Sequence, residues 1–182
     1  YIRGEMEWIP RLRDAMASGR LCLFAQPIVP VASTDVPHHY EVLLRMWGED
    51  GELVPPGKFL PVAERYGLGP QLDRWVITHA LDWLARHVDR FPDLRLAINL
   101  SGQSLADPAF LHFVTEQFAV TGVPPHNVSF ELTETAAVGD IDHAQIFVQV
   151  LRKLNCGFAL DDFGVGFSSF GYLKALPVDY LK

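Results

Sequence analysis

The chain has little of what would tie it to a membrane, an oxidising compartment or a long polyanion. Its apolar runs fall well short of the roughly 20 residues that cross a bilayer, and no secretory leader is recognisable. These features predict a soluble cytoplasmic domain with no direct membrane insertion, compatible with a membrane-anchored parent. Cysteine is scarce: only Cys22 and Cys156 occur in 182 residues. Both sit in apolar surroundings, LCLF and NCGFAL, so buried free thiols are expected rather than a disulfide framework. Basic charge is also short, with 15 Lys and Arg against 22 Asp and Glu and a net charge of -7. Such a chain has no bulk attraction for a phosphate backbone, which disfavours a nucleic-acid polymer as partner. A small anion remains open where metal ions supply positive charge locally.

What is present is a large apolar fraction, 49%, enough for one domain with a sizeable core. Residues 3 to 19 carry Met6, Ile9, Leu12 and Met16 at helical spacing and end at Gly19. Strand-like runs follow at LCLFAQPIV, YEVLLRM, LRLAINL, NVSFELTE, GFALDDF and VDYLK. Between them lie helical stripes. One places Leu72, Trp75, Val76, His79, Ala80, Trp83 and Leu84 together. A second starts at Asp107-Pro108, an N-cap followed by proline, carries Phe110, Phe113, Val114 and Phe118, and stops at Gly122. A third, capped by Asp140, turns Phe147, Val150, Leu151 and Leu154 inward. Strand and helix alternating every 30 residues or so indicate βαβ units and a parallel sheet. An open doubly wound sheet and a (β/α)8 TIM-type barrel both fit. No glycine-rich phosphate loop follows the first strand, which favours the barrel. About six strands do not close it, so further strands are expected after Lys182.

Acidic and polar residues gather at the strand ends. LAIN ends in Asn99, VSFE in Glu131 with Glu134 three residues on, FALDD in Asp161 and Asp162, and YLK in Lys182, while Glu41 opens an earlier strand. A carboxylate leaving an apolar strand must be paired or metal-bound to offset lost hydration. Parallel strands point their C-terminal ends at one face, where active sites form. Oxygen donors without cysteine or strand-end histidine suit Mg2+ or Mn2+. The Asp161-Asp162 pair could serve two ions about 3.5–4 Å apart, an arrangement used on phosphodiesters. Any one of these residues, taken alone, is more often a helix cap or a salt-bridge partner. The stretch DFGVGFSS (162 to 169) reads either as an ordinary turn, with Ser168 or Ser169 capping the next helix, or as a mobile loop over the metals.

The motifs AQPI (25 to 28), YEVLLR (40 to 45), INLS (98 to 101), ELTE (131 to 134) and DDFGVGFSSFGYLKALPVDYLK (161 to 182), in this order and spacing, resemble the EAL domain family. The resemblance implies a (β/α)8 barrel with an antiparallel first strand and hydrolysis of cyclic di-GMP to linear pGpG with Mg2+ or Mn2+, two ions in all. It implies that Glu41, Asn99, Glu131 and Asp161 hold one metal and Asp162 the second, with Lys182 holding the attacking water. Glu134 matches a glutamate anchoring the DFG loop. Gln26, Leu43 and Arg45 match positions that contact the dinucleotide, and Asp73, in LDRWV, a position that reads a guanine edge. The motif here is Glu-Val-Leu, and Val165 and Phe167 stand where Thr and Tyr are common. Residues 1 to 19 resemble a linker helix from an upstream GGDEF or sensor domain. Residues 20 to 182 would then be an EAL domain lacking its C-terminal strands and helices, and a homodimer is implied. The rival readings are an inactive cyclic-di-GMP receptor domain and a protein-interaction domain.

Overall fold

The computed structural model describes residues 7–31, 38–162 and 176–182. Helix α1 (Trp8–Ala17) is followed by Gly19 at φ 71°, a left-handed turn that glycine adopts without penalty. Strand β1 (Leu21–Ile28) then pairs antiparallel with β2 (His39–Trp47), from Leu21↔Met46 to Ile28↔His39. A short β3 (Leu53–Val54) folds back on the end of β2. Beyond β2 the sheet is parallel, running through β4 (Arg95–Asn99), β5 (Val128–Thr133), β6 (Gly157–Asp161) and β7 (Tyr180–Leu181). The expected strands are all present, with the first reversed. Among the described residues, only β3 is additional.

The connections are α2 (Pro56–Arg65), α3 (Gly69–Ala85), α4 (Gly102–Leu105), α5 (Pro108–Thr121), α6 (Glu134–Gly139) and α7 (Ile141–Lys153). Local chemistry sets their limits. Asp107 accepts a hydrogen bond from the Ala109 amide at 2.9 Å, Pro108 opens α5, and Gly122 at φ 69° ends it. Asp140 caps α7 in the same way.

The strands alternate cleanly. Val42, Ile98, Phe130, Leu132, Phe158 and Leu160 point to the helix-covered face and are at most 6% exposed. There they join Ile77, Leu81, Leu84, Phe110, Val114, Phe147 and Leu151 in the main core. Each such burial contributes roughly 1.5–3 kcal/mol. A second cluster joins Leu12 and Ala15 of α1 to Met46, Phe59, Leu68 and Leu72.

Two helical stripes are rotated from their expected phase. In α3 the buried line is Leu72, Val76, Ile77, Ala80, Leu81 and Leu84. His79 and Trp83 face outward, and each histidine stacks on the tryptophan four residues before it: Trp75 with His79 at 3.8 Å and Trp83 with His87 at 4.1 Å. In α7 the buried residues are Ala144, Phe147, Val148 and Leu151, with Val150 and Leu154 only partly covered. In α3 the surplus tryptophan surface is met by these stacked histidines, while Trp75 and Leu154 lie at the edge of the main core.

Candidate active site

Strand register brings the polar residues together. Glu41 pairs with Ala97, Asn99 with Glu131, Glu131 with Ala159, and Ala159 with Tyr180. Side chains two apart on a strand share a face. Glu41, Asn99, Glu131, Asp161 and Lys182 therefore project from the face opposite the helix-packed core. Ala97 and Ala159 lie on the same face, two residues before Asn99 and Asp161 on their strands.

Contacts bind this group into a unit. Asn99 Nδ2 donates to Glu41 Oε1 at 2.9 Å. Lys182 Nζ lies 2.7 Å from Glu131 Oε1, 2.8 Å from its Oε2, and 3.5 Å from Glu41 Oε2. Glu131 is only 1% exposed. Burial pushes its pKa up, the Lys182 ammonium pulls it back, and the negative charges of Glu41 and Asp161 push it up again. Burial alone would lower Lys182, but its hydrogen bond to Glu131 and the charges of Glu131, Glu41 and Asp161 override that and hold its pKa above the ordinary value.

Asp161 ends β6 beside this group, and its Oδ1 accepts from the Asp162 amide at 2.9 Å. Asp162 adopts φ 55°, a conformation aspartate tolerates better than most residues, so the chain turns sharply off the strand. No hydrogen bond or ion pair links the Asp162 carboxylate to Glu41, Asn99 or Glu131 among the described residues. Of DFGVGFSS, only Asp162 lies among the described residues, and the loop positions Val165, Phe167, Ser168 and Ser169 fall outside them.

Gln26 stands opposite Glu41 in the β1–β2 ladder, with Phe24 opposite Leu43 and Cys22 opposite Arg45. Gln26, Leu43 and Arg45 thus line the Glu41 face further along the hairpin. The Arg45 guanidinium lies 5.6 Å from the Phe24 ring centre and donates to Leu44 O at 2.8 Å. Among the described residues, no hydrogen bond or ion pair links Glu134 to Glu41, Asn99, Glu131 or Lys182. Glu134 opens α6, which Thr133 caps through Ala136 N, and it lines a cavity of about 260 Å³ with Thr135, Val138 and Gly139. Asp73 lies outside the cluster, on α3, where it holds the turn after β4.

One residue on this face was missed from sequence. His39, two residues before Glu41, approaches Ser129 Oγ through Nε2 at 3.4 Å and tilts against Tyr180 at 6.5 Å between ring centres. Burial, then Lys182 and Arg95, push its pKa down, favouring neutral imidazole. The alternation in HYE was the available signal. Cys22 and Cys156 are both free, as expected, but only Cys156 is buried; Cys22, on β1, is partly exposed.

The donor set is chemically suited to a hard cation: carboxylate oxygens, one amide oxygen, and no thiolate. Among the described residues, no three His, Cys, Asp or Glu close up enough to hold a metal by themselves. The near neighbours of Glu41 and Glu131 are the Asn99 amide and the Lys182 ammonium. Glu41 and Glu131 thus share one ammonium.

A family model described as the EAL domain matches residues 10–182. The cyclic di-GMP phosphodiesterase PdeB of Shewanella oneidensis is 38% identical over 182 residues, 100% of this chain and 21% of that protein. The cyclic di-GMP phosphodiesterase PdeF of Escherichia coli is 39% identical over 181 residues, 100% of this chain and 24% of that protein. Among solved structures, the PaMucR phosphodiesterase in complex with c-di-GMP superposes with a TM-score of 0.89 at 32% identity, over 96% of this chain and 71% of that one. The chain thus spans about a fifth to a quarter of the length of these curated relatives. Among the described residues, no helix is long and apolar enough to cross a membrane.

Proposed function

Because this chain belongs to the EAL domain family, we propose that it hydrolyses cyclic di-GMP to linear pGpG with the help of Mg2+ or Mn2+. The observation that carries the proposal is the convergence of Glu41, Asn99 and Glu131 from three strands, with Lys182 just past the end of β7, on one face of the sheet. Glu41, Glu131, Asp161 and the Asn99 Oδ1 would hold one ion, and Asp162 a second. Asn99 Nδ2 is committed to Glu41, so Oδ1 is the amide atom left to face a cation. When bound, the ions would acidify water and neutralise charge on the phosphoryl group.

The chain's own groups do the rest. Lys182, already an ammonium among carboxylates, would hold the attacking water by a charge-assisted hydrogen bond. Gln26, Leu43 and Arg45 would orient the dinucleotide, with Arg45 facing phosphate. The water oxygen bonds to phosphorus as the bond to the 3′-oxygen breaks, and that oxygen leaves with a proton. Asp73 would meet a guanine edge, and Glu134 would anchor the loop after Asp162. We place the domain in the cytoplasm, in a homodimeric parent whose upstream GGDEF or sensor region joins it through residues 1 to 19. The greater length of the relatives supports an additional region of this kind.

The test is incubation of the full-length protein with cyclic di-GMP and Mg2+ or Mn2+, with pGpG read by chromatography. Glu41→Ala should keep the fold and abolish turnover, as removal of a metal ligand implies. Wild-type turnover in that variant would defeat the assignment. Nucleotide binding without pGpG from the wild-type protein would make the domain a receptor.

A further inference from the structure

Beside the carboxylate cluster lies a second polar group that the proposed chemistry uses only at its outer edge. Asp73, early in α3, turns one oxygen toward the segment that follows β4. Its Oδ2 accepts from Ser101 N at 2.8 Å, from Ser101 Oγ at 2.8 Å and from Ser104 Oγ at 2.6 Å. The two serine hydroxyls are themselves 3.2 Å apart, and Ser104 is 1% exposed. Gly69 closes the knot from the start of α3: a Cβ there would lie 2.7 Å from Ser101 Oγ and 2.9 Å from Gln103 Oε1. Burial pushes the Asp73 pKa up against the pull of its three donors. Dehydrating a carboxylate is expensive, and three donors on a single oxygen offset that cost only while the turn keeps this shape. The turn matters because Ser101 comes two residues after Asn99, whose amide is bonded to Glu41.

We propose that Asp73 is a positioning residue for the cation site: by gripping Ser101 and Ser104 it fixes where β4 ends, and so aims Asn99 and, through it, Glu41. This rests on the reading of Asn99 and Glu41 as metal ligands. It is separate from any contact between Asp73 and guanine, which would fall to the carboxylate's other oxygen. Groups that orient ligands without touching the metal change metal affinity by roughly 10–100-fold when removed.

The measurement is Mn2+ affinity of the full-length protein, without nucleotide, by titration calorimetry or by electron paramagnetic resonance of free Mn2+. Asp73→Ala is expected to weaken Mn2+ binding about tenfold. Asp73→Asn, whose amide oxygen still accepts from both serines, is expected to recover most of the loss. Unchanged Mn2+ affinity in folded Asp73→Ala overturns the inference, and a change confined to KM for cyclic di-GMP would assign Asp73 to nucleotide contact alone. If Asp73→Ala does not fold, Ser104→Ala, which removes one of the three donors, decides the matter: a drop of a few-fold supports positioning and wild-type affinity overturns it. A wild-type protein that binds no Mn2+ overturns the metal reading as well, so the two failures are told apart.

Discussion

Glu131 and Lys182 form an asymmetric pair. The carboxylate is 1% exposed, while the ammonium keeps 30% of its surface in water. Removing the lysine strands a charge that water cannot reach. Lys182→Met should therefore cost about 1–3 kcal/mol at neutral pH. Solvent around the ammonium keeps the figure below that of a fully buried pair. The pH dependence has a defined sign. Burial already holds Glu131 above its ordinary 4.5, so the folded state binds the extra proton and stability falls as pH rises through that raised value. Loss of Lys182 raises Glu131 further and widens the window. Lys182 contributes in the other sense: its raised pKa keeps its stabilisation fully present below 10.5 and lost only as pH climbs through the folded value. Thermal melts between about pH 4 and 8 should show the variant losing stability faster than wild type toward neutrality. Parallel curves would contradict this account.

Single side chains also do the work of secondary structure. Asp179 Oδ2 accepts from the Phe158 amide at 2.8 Å, while the Asp179 amide donates to Phe158 O at 2.8 Å. A carboxylate thus completes the ladder at the point where β7 joins β6, three residues before Lys182. Asp179→Ala should cost about 1–3 kcal/mol and speed hydrogen exchange at the Phe158 amide. Arg152→Ala should matter less, within about 1 kcal/mol, because its guanidinium, which donates to Pro177 O at 2.8 Å and lies 3.7 Å from Asp179, makes both contacts in solvent. Equal effects from the two would refute the ladder role. Gly69→Ala should destabilise α3 despite alanine's better helix propensity, since its methyl would meet Ser101 Oγ at 2.7 Å. The strands and α5 were legible because their signals are local: alternation in LAIN and VSFE, and Asp107-Pro108 with Gly122 as bounds. Helix α2 was not, because Pro61 lies inside it and reads as a breaker. Helix α6 has six residues, too few for a period to show. The Lys182–Glu131 contact spans 51 residues of sequence. Nothing near either residue says which carboxylate the lysine meets.

Across the whole molecule, the sheet divides labour between its faces. One carries the apolar core against α3, α5 and α7, and the other carries the polar cluster. Occupation of that cluster should register as stability of the entire fold, because a ligand that binds only the native state adds about 2.7 kcal/mol at a hundred times its Kd. Mn2+ is expected to raise the melting temperature of the wild-type protein, a chelator to reverse the rise, and Glu41→Gln to blunt it. An identical rise in Glu41→Gln would place the ion elsewhere. The tethered ammonium of Lys182 adds a restriction on which ions can enter. It already lends Glu131 and Glu41 one unit of positive charge at no translational cost. A potassium or sodium ion would swap one unit for another, surrender its own hydration shell, and gain nothing. Only a cation of higher valence profits from pushing the lysine aside, so the cluster should discriminate against monovalent salts in favour of a divalent ion.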